Sequence, residues 1–179
     1  MKLTGQQTLP ATQAQAWEAL NDIDLLKACI PGCDSLSAIG EHQYEALVTA
    51  AIGPVKAKFK GKLRLEDLNP PNSYTMHFDG QGGAAGHGKG SAQVRLEPAG
   101  AAETTLHYTA TASVGGKMAQ IGSRLVDMAA QKMAKDFFER FTQTLQARNP
   151  APAVPGAAAP SPGGAMARLA AWLRRVFGG

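Results

Sequence analysis

The stretch from Lys117 to Ala147 is the longest periodic segment in the chain and constrains the fold more than any other. Neither a proline nor a β-branched run interrupts it, and good helix formers dominate. Apolar residues recur every three to four positions: Met118, Ile121, Leu125, Met128, Ala129, Met133, Phe137, Phe141 and Leu145. That spacing predicts one long helix with a buried stripe. From Leu125 to Leu145 the step is a strict four, which advances about 40° each time on a helix of about 3.6 residues per turn, so the stripe should wind around the axis. A winding stripe needs a curved surface to pack against, and the residues upstream have to supply it.

They read as strands. Between residues 34 and 115 the period shortens to two, most clearly from Val55 to Leu65, where odd positions are apolar or glycine and even positions are Lys or Arg. This is the pattern of a half-buried strand. Similar alternation runs through Tyr44 to Ile52, Tyr74 to Phe78, Ala92 to Leu96 and Leu106 to Val114, with turn signals at Gly53-Pro54, Asn69-Pro70-Pro71-Asn72 and Pro98 to Gly100. Ahead of them, residues 2–9 fit a first strand ending at Pro10. Ala16, Trp17 and Leu20 share one face of a short helix reaching about Asn21, and Asp22 or Asp24 can cap a second short helix that Pro31-Gly32 must stop. The predicted class is α+β: a curved antiparallel sheet of about seven strands wrapped around a long C-terminal helix.

The inward positions of this arrangement are unusually small: Ala46, Ala50, Ala57, Gly61, Ala92, Ala110 and Ala112, with Gly122, Ala129 and Ala130 on the helix. Interiors need near-crystalline packing, so the volume left over predicts an apolar cavity. Its expected walls are Tyr44, Ala46, Val48, Ala57, Phe59, Met76, Phe78, Val94, Leu106, Tyr108, Ala110, Met118, Ile121, Leu125, Met128, Met133 and Phe137. The competing reading is that small residues simply let helix and sheet approach closely.

Charge excludes one class of function. Of the 18 basic residues, Arg148, Arg168, Arg174 and Arg175 lie in 148–179, which holds no acid, so residues 1–147 carry fourteen basic and fourteen acidic groups. A neutral body has no electrostatic footprint for nucleic acid. The opening residues MKLTGQQTLP contain no apolar signal region and no run is long enough to span a bilayer, which predicts a cytoplasmic protein. Cys29 and Cys33 are then expected to be reduced structural thiols, with a redox or ligand-contacting role as the alternative.

Other candidate chemistry is thin. Gly83 to Lys89 matches the first part of a phosphate-binding loop, but Gly90 stands where Ser or Thr is required and a strand follows in place of a helix, so a hairpin bordering the cavity is expected. His42, His77, His87 and His107 are scattered, with no acid at a triad-like spacing and no four-ligand metal set. By strand parity His77 and His107 should point outward. Catalytic and metal residues are expected to be none. The comb Lys56, Lys58, Lys60, Lys62 and Arg64 reads as a solvated strand face that discourages edge pairing, or else as a docking surface for an acidic partner or anionic headgroups.

The chain then changes character. Residues 148–164 hold five prolines and three glycines and predict a linker with a reach of roughly 25 Å as coil and about 50 Å as polyproline II. Residues 165–179 return to helical period, with Met166, Leu169, Trp172, Leu173, Val176 and Phe177 on one side and Arg168, Arg174 and Arg175 on the other. That is the form of an interfacial helix, reversible in its attachment to anionic membrane, or of a segment that docks in a partner's groove.

Taken together, residues 1–147 resemble the carbon monoxide dehydrogenase CoxG family within the START-like, SRPBCC superfamily, whose fold is the helix grip. The residues that carry the resemblance are Ala28-Cys29-Ile30-Pro31-Gly32-Cys33, the glycine-rich run from Gly80 to Gly90, Gly90-Ser91-Ala92 entering a strand, and the long helix with Phe137-Phe138. The resemblance implies an accessory protein, not an enzyme, partnered with a molybdenum hydroxylase such as aerobic carbon monoxide dehydrogenase. It joins the cavity to the membrane-seeking tail: the expected role is to recruit the enzyme to the inner face of the cytoplasmic membrane and to bind an isoprenoid quinone non-covalently. A cyclase or aromatase of the same superfamily is the alternative, as is a scaffolding anchor without ligand.

Overall fold

The computed structural model describes residues 1–149. The expected linker from residue 150 onward and the expected tail helix at 165–179, with all its proposed membrane contacts, lie outside the described residues.

Seven strands form a single antiparallel sheet in the order β1-β7-β6-β5-β4-β3-β2. They are β1 (Lys2–Leu9), β2 (Cys33–Gly40), β3 (Gln43–Ile52), β4 (Val55–Asn69), β5 (Ser73–Gln81), β6 (His87–Gly100) and β7 (Glu103–Gly115). From β2 to β7 each strand pairs with its sequence neighbour through a hairpin, and β1 closes the set against β7. The alternation of β4 appears directly as alternating burial from Val55 to Leu65, with the lysines outside. Register shifts in β2, β4 and β6 interrupt the ladders and bend the strands, as an extra unpaired residue does.

Two short helices, α1 (Gln13–Leu20) and α2 (Ile23–Cys29), follow β1. A capping box starts α1: the Gln15 amide donates to Thr12 Oγ1 at 3.2 Å and the Thr12 amide donates to Gln15 Oε1 at 2.9 Å. Asp22 caps α2, its Oδ1 accepting from the Leu25 amide at 3.1 Å.

The long helix departs from expectation in two ways. It is split into α3 (Lys117–Gln120) and α4 (Ser123–Arg148), because Gly122 adopts φ +98°, a conformation open to glycine and strained for other residues. The buried stripe also does not wind. Phe141 and Leu145 are fully buried, but at the other end Val126 is buried while Leu125 is 39% and Met128 56% exposed. The buried face runs through Val126, Ala130, Ala134, Phe137, Phe141 and Leu145, where one step of three among the steps of four holds the residues to one side of the helix.

The core sits at one end of the grip. Leu9, Leu96, Leu106 and Tyr74 from the sheet meet Ala16, Leu20, Leu25 and Cys29 from α1 and α2, with Phe141 and Leu145 from α4. Trp17 packs edge-on against Tyr74 with ring centroids 5.6 Å apart. Thr104, the one fully buried polar side chain among the described residues, donates its hydroxyl to the Ala11 carbonyl at 2.8 Å. At about 1.5–3 kcal/mol for each large apolar side chain removed from water, this end stabilises the fold and leaves the other end free to be open.

Candidate ligand cavity

The far half of the sheet's inner face is built from rows that the register aligns. Ala46, Gly61, Gly80 and Gly88 form one row across β3 to β6, and Tyr44, Leu63, Phe78, Gly90 and Ala112 form the next across β3 to β7. A methyl group at Gly61 would come no nearer than 3.9 Å to any atom, and one at Gly80 no nearer than 3.7 Å. There is room over this row. Two other glycines are tight: a methyl group at Gly82 would lie 2.3 Å from the Phe59 ring, and one at Gly90 would lie 2.0 Å from the Thr111 carbonyl oxygen and 2.9 Å from the Phe78 ring. Phe59 and Phe78 thus lie down over glycines and flank the open row.

The expected wall residues divide into three groups. Leu106 is core, and Met76, Val94, Tyr108 and Phe137 pack against the core as partly buried side chains, forming the floor. Ala46 and Met118 are buried, while Tyr44, Val48, Ala57, Phe59, Phe78, Ala110, Ile121 and Met133 are half-buried. Leu125 and Met128 are exposed, which removes them from the expected wall. Inward-pointing apolar side chains that keep solvent access mark a wall without full cover, since a closed helix-to-sheet contact would bury them.

Glycine-rich turns border this wall. The β5–β6 connection forms a 3-10 turn at Gly83–Ala85, and buried Ala85 and Met118 seat it against α3. The β3–β4 turn reaches α4, where a methyl group at Gly53 would lie 3.2 Å from Leu125 Cδ1. On the opposite side a groove of about 540 Å³ opens between β1 and α4, lined by Leu3, Gln7, Tyr108, Phe138 and Thr142 among others. Its base is an aromatic stack: Tyr108 and Phe138 have ring centroids 5.2 Å apart, and Tyr108 lies over Gly5. The volume falls within the usual range for small-molecule sites.

Polar groups facing the interior are few. Asp127 shares the helical face of Ala130 and Ala134, and its Oδ1 is shielded from solvent with no hydrogen-bond partner. Sequence reasoning passed over it, although a lone acid between Val126 and Met128 is a visible break in an apolar run. Burial pushes the Tyr74 phenol well above its ordinary range, so it stays protonated. The histidines lie elsewhere. His77 Nε2 is 2.9 Å from Glu66 Oε2 and His107 Nε2 is 3.1 Å from Glu97 Oε2, both on the outer face as parity predicted. His42 sits in the β2–β3 turn and the His87 ring covers Gly115. Imidazole acid–base chemistry therefore has no place on the inner wall.

Cys29 and Cys33 are free thiols. Burial raises both above the ordinary thiol range, so neither is a ready thiolate nucleophile. Cys29 packs with its Sγ 3.8 Å from Thr144 Oγ1, joining α2 to α4, and Cys33 donates to the Ser35 carbonyl at 3.3 Å. Among the described residues no cluster of His, Cys, Asp or Glu is arranged to hold a metal ion, and no helix is long and apolar enough to cross a membrane.

The family model for carbon monoxide dehydrogenase CoxG matches residues 5–146. No curated protein matches the sequence. Among solved structures, a conserved protein from Geobacillus kaustophilus is 33% identical, with a TM-score of 0.78, covering 82% of this chain and 96% of its own. A START superfamily protein from Mycobacterium smegmatis has a TM-score of 0.66 at 10% identity, covering 83% of this chain and 99% of that one. The Zhui aromatase/cyclase from Streptomyces sp. R1128 has a TM-score of 0.63 at 12% identity, covering 84% and 96%. These last two share the fold alone. With the family model spanning the described domain and the helix-grip architecture in place, the chain belongs to the carbon monoxide dehydrogenase CoxG family.

Proposed function

We propose that this protein is a non-catalytic accessory factor of a molybdenum hydroxylase such as aerobic carbon monoxide dehydrogenase, and that its inner wall holds an isoprenoid quinone which links the enzyme to the respiratory chain. The observation that carries the ligand-binding part is the inward-facing yet solvent-accessible apolar wall around Gly61, Gly80, Phe59 and Phe78. A polyprenyl chain is insoluble in water and is matched by such a surface, while a flat quinone head suits the Tyr108–Phe138 stack at the β1–α4 groove. Membership of the CoxG family supports the partner.

The membrane part rests on the sequence of residues 165–179, whose apolar and arginine-bearing sides fit an interfacial helix. The cyclase alternative needs inward acid–base groups, and the outward pairing of His77 and His107 with glutamates counts against it. The test is lipid extraction of the purified full-length protein followed by mass spectrometry. Recovery of an isoprenoid quinone is expected; repeated absence of any isoprenoid overturns the carrier role. Deletion of residues 165–179 should abolish flotation with anionic liposomes, and unchanged flotation overturns the anchor.

A further inference from the structure

The sheet's outer face is not a featureless solvated surface. Across β3 to β7 it bends into a groove of about 710 Å³. Two rows of polar side chains line it. Gln43, Arg64, His77, Ser91 and Thr111 stand in one register row, and Lys62, Asp79, Lys89 and Ser113 in the next.

The charges of this groove are unevenly answered. Arg64 is held at 2.7 Å by Glu66, which also takes His77 at 2.9 Å. Asp79 lies between Lys62 and Lys89 in the register but accepts instead from Gln81 Nε2 at 2.8 Å. Among the described residues neither Lys62 nor Lys89 has a carboxylate at ion-pair distance, and both are exposed. The rim carries the opposite chemistry: Ile39, displaced by the register shift between Ala38 and Gly40, is 51% exposed beside the groove. A concave floor with unanswered ammonium groups and an apolar rim is complementary to a protruding acidic segment that also carries an apolar side chain. A narrow segment can follow this shallow depression and reach both lysines and Ile39 together, a closer fit than a planar bilayer makes. A nucleic acid would need a longer basic track, and beyond the groove β4 offers only Lys56, Lys58 and Lys60, the last 3.5 Å from Glu45, in a body whose charges balance.

We propose that this outer groove docks an acidic segment of a partner protein, with Lys62 and Lys89 meeting its carboxylates and Ile39 its apolar side chain. The proposal stands apart from the inner wall and from the tail, and survives the failure of either. The test uses the full-length protein and a fluorescein-labelled peptide of alternating Glu and Leu, read by anisotropy. The double variant Lys62→Glu, Lys89→Glu should weaken binding by at least about tenfold, and Ile39→Ser by about threefold to tenfold. Lys56→Glu, Lys58→Glu imposes the same charge change on β4 outside the groove lining and should weaken binding by less than about threefold. Equal losses from the two double variants, or no measurable peptide binding, overturn the groove as a site. Loss of phosphatidylglycerol vesicle or polyuridylate binding in the groove variant, with peptide binding unchanged, overturns the protein partner.

Discussion

Asp22 Oδ2 lies 2.8 Å from the Arg148 guanidinium, so the residue that caps α2 also holds the last turn of α4. The pair closes the core end of the grip at the point where the chain departs toward residue 150. The Leu25 amide and then the Arg148 guanidinium hold the Asp22 carboxyl below the ordinary carboxylate value of 3.8. A lowered folded value means that this stabilisation is complete above the unfolded pKa and is lost as pH falls through the lower folded one. Asp22→Ala should therefore destabilise the protein by about 1–2 kcal/mol at neutral pH, mostly through the lost cap, the half-exposed ion pair adding little. Urea unfolding checks this. The gap between wild type and variant should narrow at pH 2–3, about a unit or more below the usual carboxylate range; a gap independent of pH would refute the assignment.

Thr104 anchors the start of β7 to the segment between β1 and α1 through its hydrogen bond to the Ala11 carbonyl, in a site with no solvent access. Thr104→Val keeps the shape and leaves that carbonyl unanswered. The expected cost is about 1–3 kcal/mol in chemical denaturation, whereas Thr104→Ser should recover most of it by restoring the hydroxyl. A costly Thr104→Ser beside a neutral Thr104→Val would mean that the methyl group, not the hydroxyl, matters there.

The order of elements was legible because each strand buries one face of a sheet, which writes alternation into the sequence, as in Val55 to Leu65. The cap of α2 was readable for the same local reason, Asp22 being one of the two acids the sequence offers there, whereas the Thr12 cap emerged only with the structure. The break at Gly122 was not, since a glycine inside a good helical pattern costs only about 1 kcal/mol and periodicity counts pass over it. Leu125 and Met128 are exposed because both lie about 150° around the uninterrupted helix α4 from the centre of its buried face. The outer groove was illegible for a different reason: lysine alternation reports which face is wet, whereas concavity comes from bulges and twist summed over five strands.

Gly86 and Gly83 lie in the same glycine-rich turn but should respond differently to alanine. Gly86 has φ +110°, and a methyl group there would lie 2.1 Å from the Gly115 carbonyl oxygen, a backbone atom that cannot swing away. Gly83 has φ +59° and no neighbour. Gly83→Ala should cost about 1 kcal/mol from backbone strain alone, whereas Gly86→Ala should cost several times more and shift the thermal midpoint accordingly. Similar midpoints for the two variants would show that the turn relaxes away from β7.

The open row of the inner wall gives the most discriminating case. Gly61 and Gly80 face room, since added methyl groups there meet nothing nearer than 3.9 and 3.7 Å, and glycine is a poor strand residue that β-branched side chains improve upon. Gly61→Val should therefore hold or raise stability, by up to about 1 kcal/mol, while removing space from the wall. If the wall holds a lipophilic ligand, the same substitution should lower the quinone recovered per protein, or the fluorescence of bound Nile red, several-fold. Stability and occupancy then move in opposite directions, a pattern that general damage to the fold does not produce. A fall in stability together with unchanged ligand recovery would place the ligand outside the Ala46-Gly61-Gly80-Gly88 row and leave the β1–α4 groove as its site.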